Sequence, residues 1–87
     1  MIAELKDRVH QGLLARGYSL EESLESSASF GSWYRDYVRA HRRVRLIWDG
    51  RDEWFVLQGG HDRQDLSVKR PAELTASGVN EFLGHAD

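Results

Sequence analysis

The stretch RVRLIWDGRDEWFVLQ, Arg43 to Gln58, constrains the fold more than any other part of the chain. Val44, Leu46 and Trp48 alternate with Arg43, Arg45 and Ile47, the period of two by which a strand presents side chains to opposite faces. Asp49-Gly50 interrupts the run, after which Phe55 and Leu57 alternate with Trp54 and Val56. That dipeptide between alternating runs predicts a hairpin, because a type I′ turn needs positive φ at both central residues. A loop of Asp49-Gly50 or the longer Asp49 to Asp52 gives the same parity. Val44, Leu46, Trp48, Phe55 and Leu57 then share an apolar face, while Arg43, Arg45, Ile47, Trp54 and Val56 share a mixed one.

The preceding run, Trp33 to Arg39, is rich in Trp, Tyr and Val and reads as a further strand. Its connection to the hairpin, VRAHRR, lacks the Gly or Asn that a two-residue turn prefers, so a three-residue connection or a bulge is expected. Such an odd connection sends Tyr34 and Val38 to the core and places Trp33, Arg35, Tyr37 and Arg39 outside with Arg43, Arg45 and Trp54. An even connection turns Trp33 and Tyr37 inward and drags Arg35 with them, which is costly unless Arg35 is paired or at the rim. The odd connection is therefore preferred, and it yields a basic, aromatic outer face.

Ile2, Leu5, Val9 and Leu13 recur at helical spacing, so residues 2–16 read as an amphipathic helix that Gly17 stops. The segment YSLEESLESSASF is open to two readings. Ser19 and Glu22 match a capping box, but the serines of 26–29 do not sustain a helix, and a strand with Tyr18, Leu20 and Leu24 on one side followed by a loop is preferred. Asp65 to Val68 is a candidate edge strand after the polar loop GGHDRQD. Pro71 suits a helix first turn, and Ala72, Ala76, Val79 and Leu83, with Phe82 beside them, form an apolar stripe that Ser77-Gly78 weakens. The expected fold is a single α+β domain over residues 1–87: an N-terminal helix, an antiparallel meander of three to four strands and a C-terminal helix.

Eighty-seven residues leave room for one small core. Six of the twelve basic residues fall between Arg35 and Arg51 against two acids, a basic island in a chain of net charge −2. Ten of the twelve are Arg, which fits planar bidentate recognition and equally fits coding bias. The absence of cysteine removes disulfides, thiol catalysis and thiolate zinc sites and fits a reducing compartment, so a cytoplasmic location is expected. The first residues carry no signal-like apolar region, and no run is long enough to span a membrane.

Little in the chain points to catalysis. The histidines His10, His41, His61 and His85 are never at paired metal-ligand spacing, and His61, Asp62 and Asp65 read more simply as a solvated loop than as a metal centre or a hydrolase site. No serine sits in a nucleophile elbow, and no Gly-rich phosphate loop opens a helix. A non-enzymatic role without cofactor is expected, with Trp33, Arg35, Tyr37, Arg43, Arg45 and Trp54 as the binding residues, since aromatics and Arg dominate interface hot spots. The occupant is expected to be a protein partner or a second copy. The alternative is single-stranded nucleic acid held by the same basic, aromatic face.

From Phe30 to Gln58, with a leading helix, a Gly17-Tyr18 break, Ser-Phe-Gly at residues 29–31 and an Arg- and aromatic-rich strand pair around an Asp-containing turn, the chain resembles a loose group of small uncharacterised bacterial proteins, some grouped with immunity proteins. The resemblance implies a small cytoplasmic partner-binding protein, with the acids of 19–25 and 52–65 as a second surface for a basic partner.

Overall fold

A computed structural model of the chain describes residues 2–25, 30–59 and 62–86. The order of elements is α1 (Ile2–Ala15), β1 (Ser19–Glu25), β2 (Trp33–Arg39), β3 (Arg42–Asp49), β4 (Trp54–Gly59), β5 (Gln64–Lys69), a 3-10 turn (Pro71–Glu73), α2 (Ala76–Leu83) and a second 3-10 turn (Gly84–Ala86). The strands form one antiparallel meander in the order β1-β2-β3-β4-β5. The α+β architecture is the expected one, with five strands in place of three to four because both ambiguous segments pair. The serines of 26–29, and Gly60-His61 of the expected polar loop, lie outside the described residues.

Both helices pack on the same face of the sheet. Leu5, Val9 and Leu13 of α1 and Val79, Phe82 and Leu83 of α2 join Trp33, Tyr37, Val44, Leu46, Trp48, Phe55 and Leu57 in a single buried cluster. Helix meets helix closely: a Cβ added at Gly12 would stand 2.6 Å from Leu83 Cδ1. The aromatic centre is tight as well, with Phe55 tilted against Trp48 at 4.7 Å and edge-on to Trp33 at 6.1 Å between centroids.

The C-terminal helix breaks, but not where Ser77-Gly78 predicts. Chain direction changes at Leu74-Thr75, and Thr75 then caps α2 by accepting from the Gly78 N–H at 3.2 Å. Gly78 is inside the helix for want of space, since a Cβ there would lie 1.8 Å from the Glu73 carbonyl oxygen. Gly50 has the same kind of role. The β3–β4 hairpin closes at the Asp49–Trp54 pair with a four-residue loop, in which Asp49 Oδ1 accepts from the Arg51 and Asp52 N–H groups and Glu53 takes a φ of 58°. Gly50 is needed because the Phe30 carbonyl would meet its Cβ at 2.0 Å, not for the positive φ that the type I′ expectation invoked.

The connection between β2 and β3 overturns the preferred parity. Arg39 pairs with Arg42 across the two-residue turn Ala40-His41, and Ala40 adopts a left-handed φ of 52°. A left-handed alanine costs about 1–2 kcal/mol. Burying Trp33 and Tyr37 beside Phe55 and His10 outweighs it, at about 1.5–3 kcal/mol for each large side chain taken from water. The even register therefore wins. Trp33, Arg35, Tyr37 and Arg39 lie on the covered side and Tyr34 and Val38 on the other, so the expected placement of all six is corrected. Arg35 is half-buried there, opposite Ser23 of the edge strand β1, and its charge holds the Tyr37 pKa back. Its buried Nε makes no hydrogen bond among the described residues.

Candidate interaction face

With both helices on one side, the other face of the sheet is bare among the described residues, and the strand register arranges it in rows across the strands. Leu24 pairs with Tyr34, Tyr34 with Ile47, Ile47 with Val56, and Val56 with Val68. One apolar side chain from each of the five strands thus stands in a continuous line across the sheet. The ends of this line are open to solvent, Leu24 at 53% and Val68 at 42%, and its middle is half-buried. Two bulges are required to bring it together. The extra residue Glu21 separates Leu20 and Leu24 onto opposite faces, and the extra residue Leu66 turns Val68 outward while Leu66 itself packs toward the core. The expectation that Leu20 and Leu24 share a side is corrected by the first of these.

On one flank of the apolar row runs a polar one: Glu22, Asp36, Arg45, Gln58 and Asp65, again one per strand. Its centre is a two-pronged ion pair, Arg45 Nε to Asp36 Oδ1 at 2.7 Å and Nη2 to Oδ2 at 3.0 Å. The Arg45 guanidinium also lies 3.8 Å above the Tyr34 ring, and the Asp36 side chain is only 6% exposed although it belongs to the uncovered face. Asp36 raises the Arg45 pKa further, chiefly through its hydrogen bond, and the guanidinium is a permanent charge. Gln58 Nε2 donates to Asp65 at 2.9 Å. Beyond this row Arg43 pairs with Glu21.

The other flank consists of Asp49, Trp54 and Arg70. The Arg70 guanidinium stacks 3.8 Å from the Trp54 ring centroid. Beside it a groove of about 530 Å³ is lined by Leu24, Phe30, Tyr34, Ile47, Asp49 and Arg51 among others. Phe30 is 71% exposed and holds a φ of 58°, a conformation rare for a bulky side chain. The segment is clamped by the Gly50 N–H, which donates to Ser32 Oγ at 2.9 Å.

Of the six residues expected to bind, three share this face: Arg43, Arg45 and Trp54. Trp33, Arg35 and Tyr37 do not. The face is also less basic than the island of arginines implies, because Arg43 and Arg45 each hold a carboxylate and Glu22, Asp49 and Asp65 stand beside them. Ile47 and Val56 were legible from hairpin parity. Leu24, Tyr34 and Val68 were missed, since their outward direction depends on one turn and two bulges that no residue type announces.

Among the described residues no group of three or more His, Asp or Glu side chains is placed to hold a metal ion. Under α1, His10 Nδ1 lies 2.7 Å from the Tyr37 hydroxyl, whose pKa is pushed up mainly by burial and held back by Arg35. Lys6 and Lys69 reach over the sheet margins to Glu25 and Glu81 at 2.7 and 2.8 Å, and the ammonium groups hold both carboxyls below their usual range. Around the β2–β3 turn Arg39, His41, Arg42, Arg43 and Arg63 border a second depression of about 1080 Å³. Among the described residues no helix is long and apolar enough to cross a membrane. Comparison with family models, curated proteins and solved structures returned no match.

Proposed function

We propose that this chain is a non-catalytic protein-binding domain whose contact surface is the uncovered face of the sheet. The apolar row Leu24, Tyr34, Ile47, Val56 and Val68 supports this reading most directly. A lone exposed apolar side chain is ordinary, but five in line, rimmed by ion pairs, form the apolar centre and polar border of an interface. Arg45 and Trp54 are pre-set by their stacking partners, so docking would cost them little rotamer freedom. The resemblance to small bacterial proteins grouped with immunity proteins points to the same kind of role, and a cytoplasmic setting belongs to this proposal.

Single-stranded nucleic acid ranks second. The cationic rim around Arg39, His41, Arg42, Arg43 and Arg63 favours it, but such binding also needs aromatic platforms, and Trp33 and Tyr37 are in the core while Arg70 covers Trp54.

The test is site-specific photo-cross-linking in the host cell, with the photoreactive residue at Val56 on the bare face or at Glu4 on the outer side of α1. A protein adduct formed from position 56, absent from position 4 and lost on adding Ile47→Glu, is the expected result. Equal labelling from both positions, or a nucleic-acid adduct from position 56, would overturn the reading.

A further inference from the structure

Resting on that reading of the bare face, we infer that its occupant is a second copy of this chain, docked face to face about a twofold axis that runs along the apolar row. The argument comes from the order of the rows. Two copies that bury the same face must be related by an axis lying between the sheets. An axis along the strands would set Glu22 over the partner's Asp65 and bring Arg45 and Asp49 each onto its own copy, so like charges would meet in all three of these contacts. An axis along the apolar row keeps that row on itself and lays the polar flank of one copy over the Asp49-Trp54-Arg70 flank of the other.

Opposite charges then meet on β3 and at the end of β5. Arg45 and Asp49 are both on β3 and on opposite sides of Ile47, so each Arg45 faces the other copy's Asp49. Asp65 opens the outward side of β5 and Arg70 follows its end, so each Asp65 faces the other copy's Arg70. Gln58 stands over the Trp54 indole in the same way. Within one chain Asp65 and Arg70 are too far apart to pair, at roughly 3.3 Å per strand residue.

Size sets the strength: five strands spaced at about 4.8 Å and rows at about 7 Å give a footprint of roughly 20 by 20 Å, about half of the ~800 Å² per partner of a standard interface, the size of a weak, concentration-dependent dimer. Two twisted sheets packed in this way form an aligned sandwich, with strand directions about 30° apart and a spacing of about 10 Å.

Light scattering after size exclusion, and sedimentation equilibrium from about 1 to about 500 µM protein, read the assembly directly. The expected mass is twice the 10.0 kDa of the chain. Ile47→Glu and Val68→Glu, on half-buried and exposed positions, should each give a monomer with an unchanged circular-dichroism spectrum. Asp65→Arg and Arg70→Glu should each raise the dissociation constant at least about tenfold, and the double variant should recover to within about threefold of the parent. That rescue requires the two residues to meet across copies.

A monomer at every concentration overturns the second copy. The reading of the bare face is then decided separately by the cross-link from position 56, which a different protein would carry. A dimer that ignores Ile47→Glu and Val68→Glu overturns both. A dimer broken by those variants, in which the double charge exchange gives no recovery, overturns the axis proposed here.

Discussion

The two faces of the sheet are built from alternate residues of the same strands, yet they differ in what holds each side chain in place. On the covered face, Val44, Leu46, Trp48, Phe55 and Leu57 are buried under two helices, and Trp33 and Tyr37 with them. On the bare face the side chains are fixed by each other: Arg45 by Asp36 and Tyr34, Trp54 by Arg70, Asp65 by Gln58. Apolar area removed from water stabilises the first face. Lateral ion pairs and stacking order the second without hiding it. Such a surface is kept in one arrangement while still open to contact, which the covered face cannot be.

Neighbouring residues of β4 give the most direct way to break this contrast. Leu57→Ala should cost about 2–5 kcal/mol by leaving a cavity in the core, whereas Val56→Ala, one residue away on the other face, should cost under about 1 kcal/mol. Urea unfolding, at dilution where the midpoint no longer depends on protein concentration, measures both. Similar costs would mean that the bare face is part of the folding core.

A smaller effect separates the two ion pairs of the bare face. Asp36→Ala leaves Arg45 half-buried without its carboxylate and should cost about 3 kcal/mol, because an uncompensated charge is held out of water. Glu21→Ala removes the partner of Arg43, where both side chains are well exposed, and should cost at most about 1 kcal/mol. Equal losses would show that burial of Asp36 adds nothing to its pair.

The smallest expected effect concerns the covered side. Burial raises the Tyr37 pKa in the fold above its unfolded value of about 10, so the folded state keeps the proton longer. Stability from this source is complete below about pH 10 and falls as pH rises through the folded pKa. Tyr37→Phe should flatten that alkaline loss in denaturant midpoints measured between about pH 8 and 11. The carboxyls of Glu25 and Glu81 have the opposite sign: held low by Lys6 and Lys69, they contribute above their unfolded range, and that contribution is lost as pH falls through their folded pKa values.

Much of this architecture can be read without coordinates, and the exceptions share a cause. Helical spacing of Leu5, Val9 and Leu13 and the strict alternation from Val44 to Leu57 announce the first helix and the central hairpin, because each pattern matches only one backbone period. The parity of that hairpin already separates Phe55 and Leu57 from Trp54 and Val56. Three features depend on packing instead. The turn at Ala40-His41 takes a left-handed alanine because two aromatic rings can then enter the core. The bulges at Glu21 and Leu66 shift a register by one residue, which exchanges faces for everything beyond them. Local preference for any of these is worth a kilocalorie or two at most, less than the burial it would have to oppose. The row Leu24, Tyr34, Ile47, Val56 and Val68 exists only as the product of all three, and so it was decided by the tertiary structure.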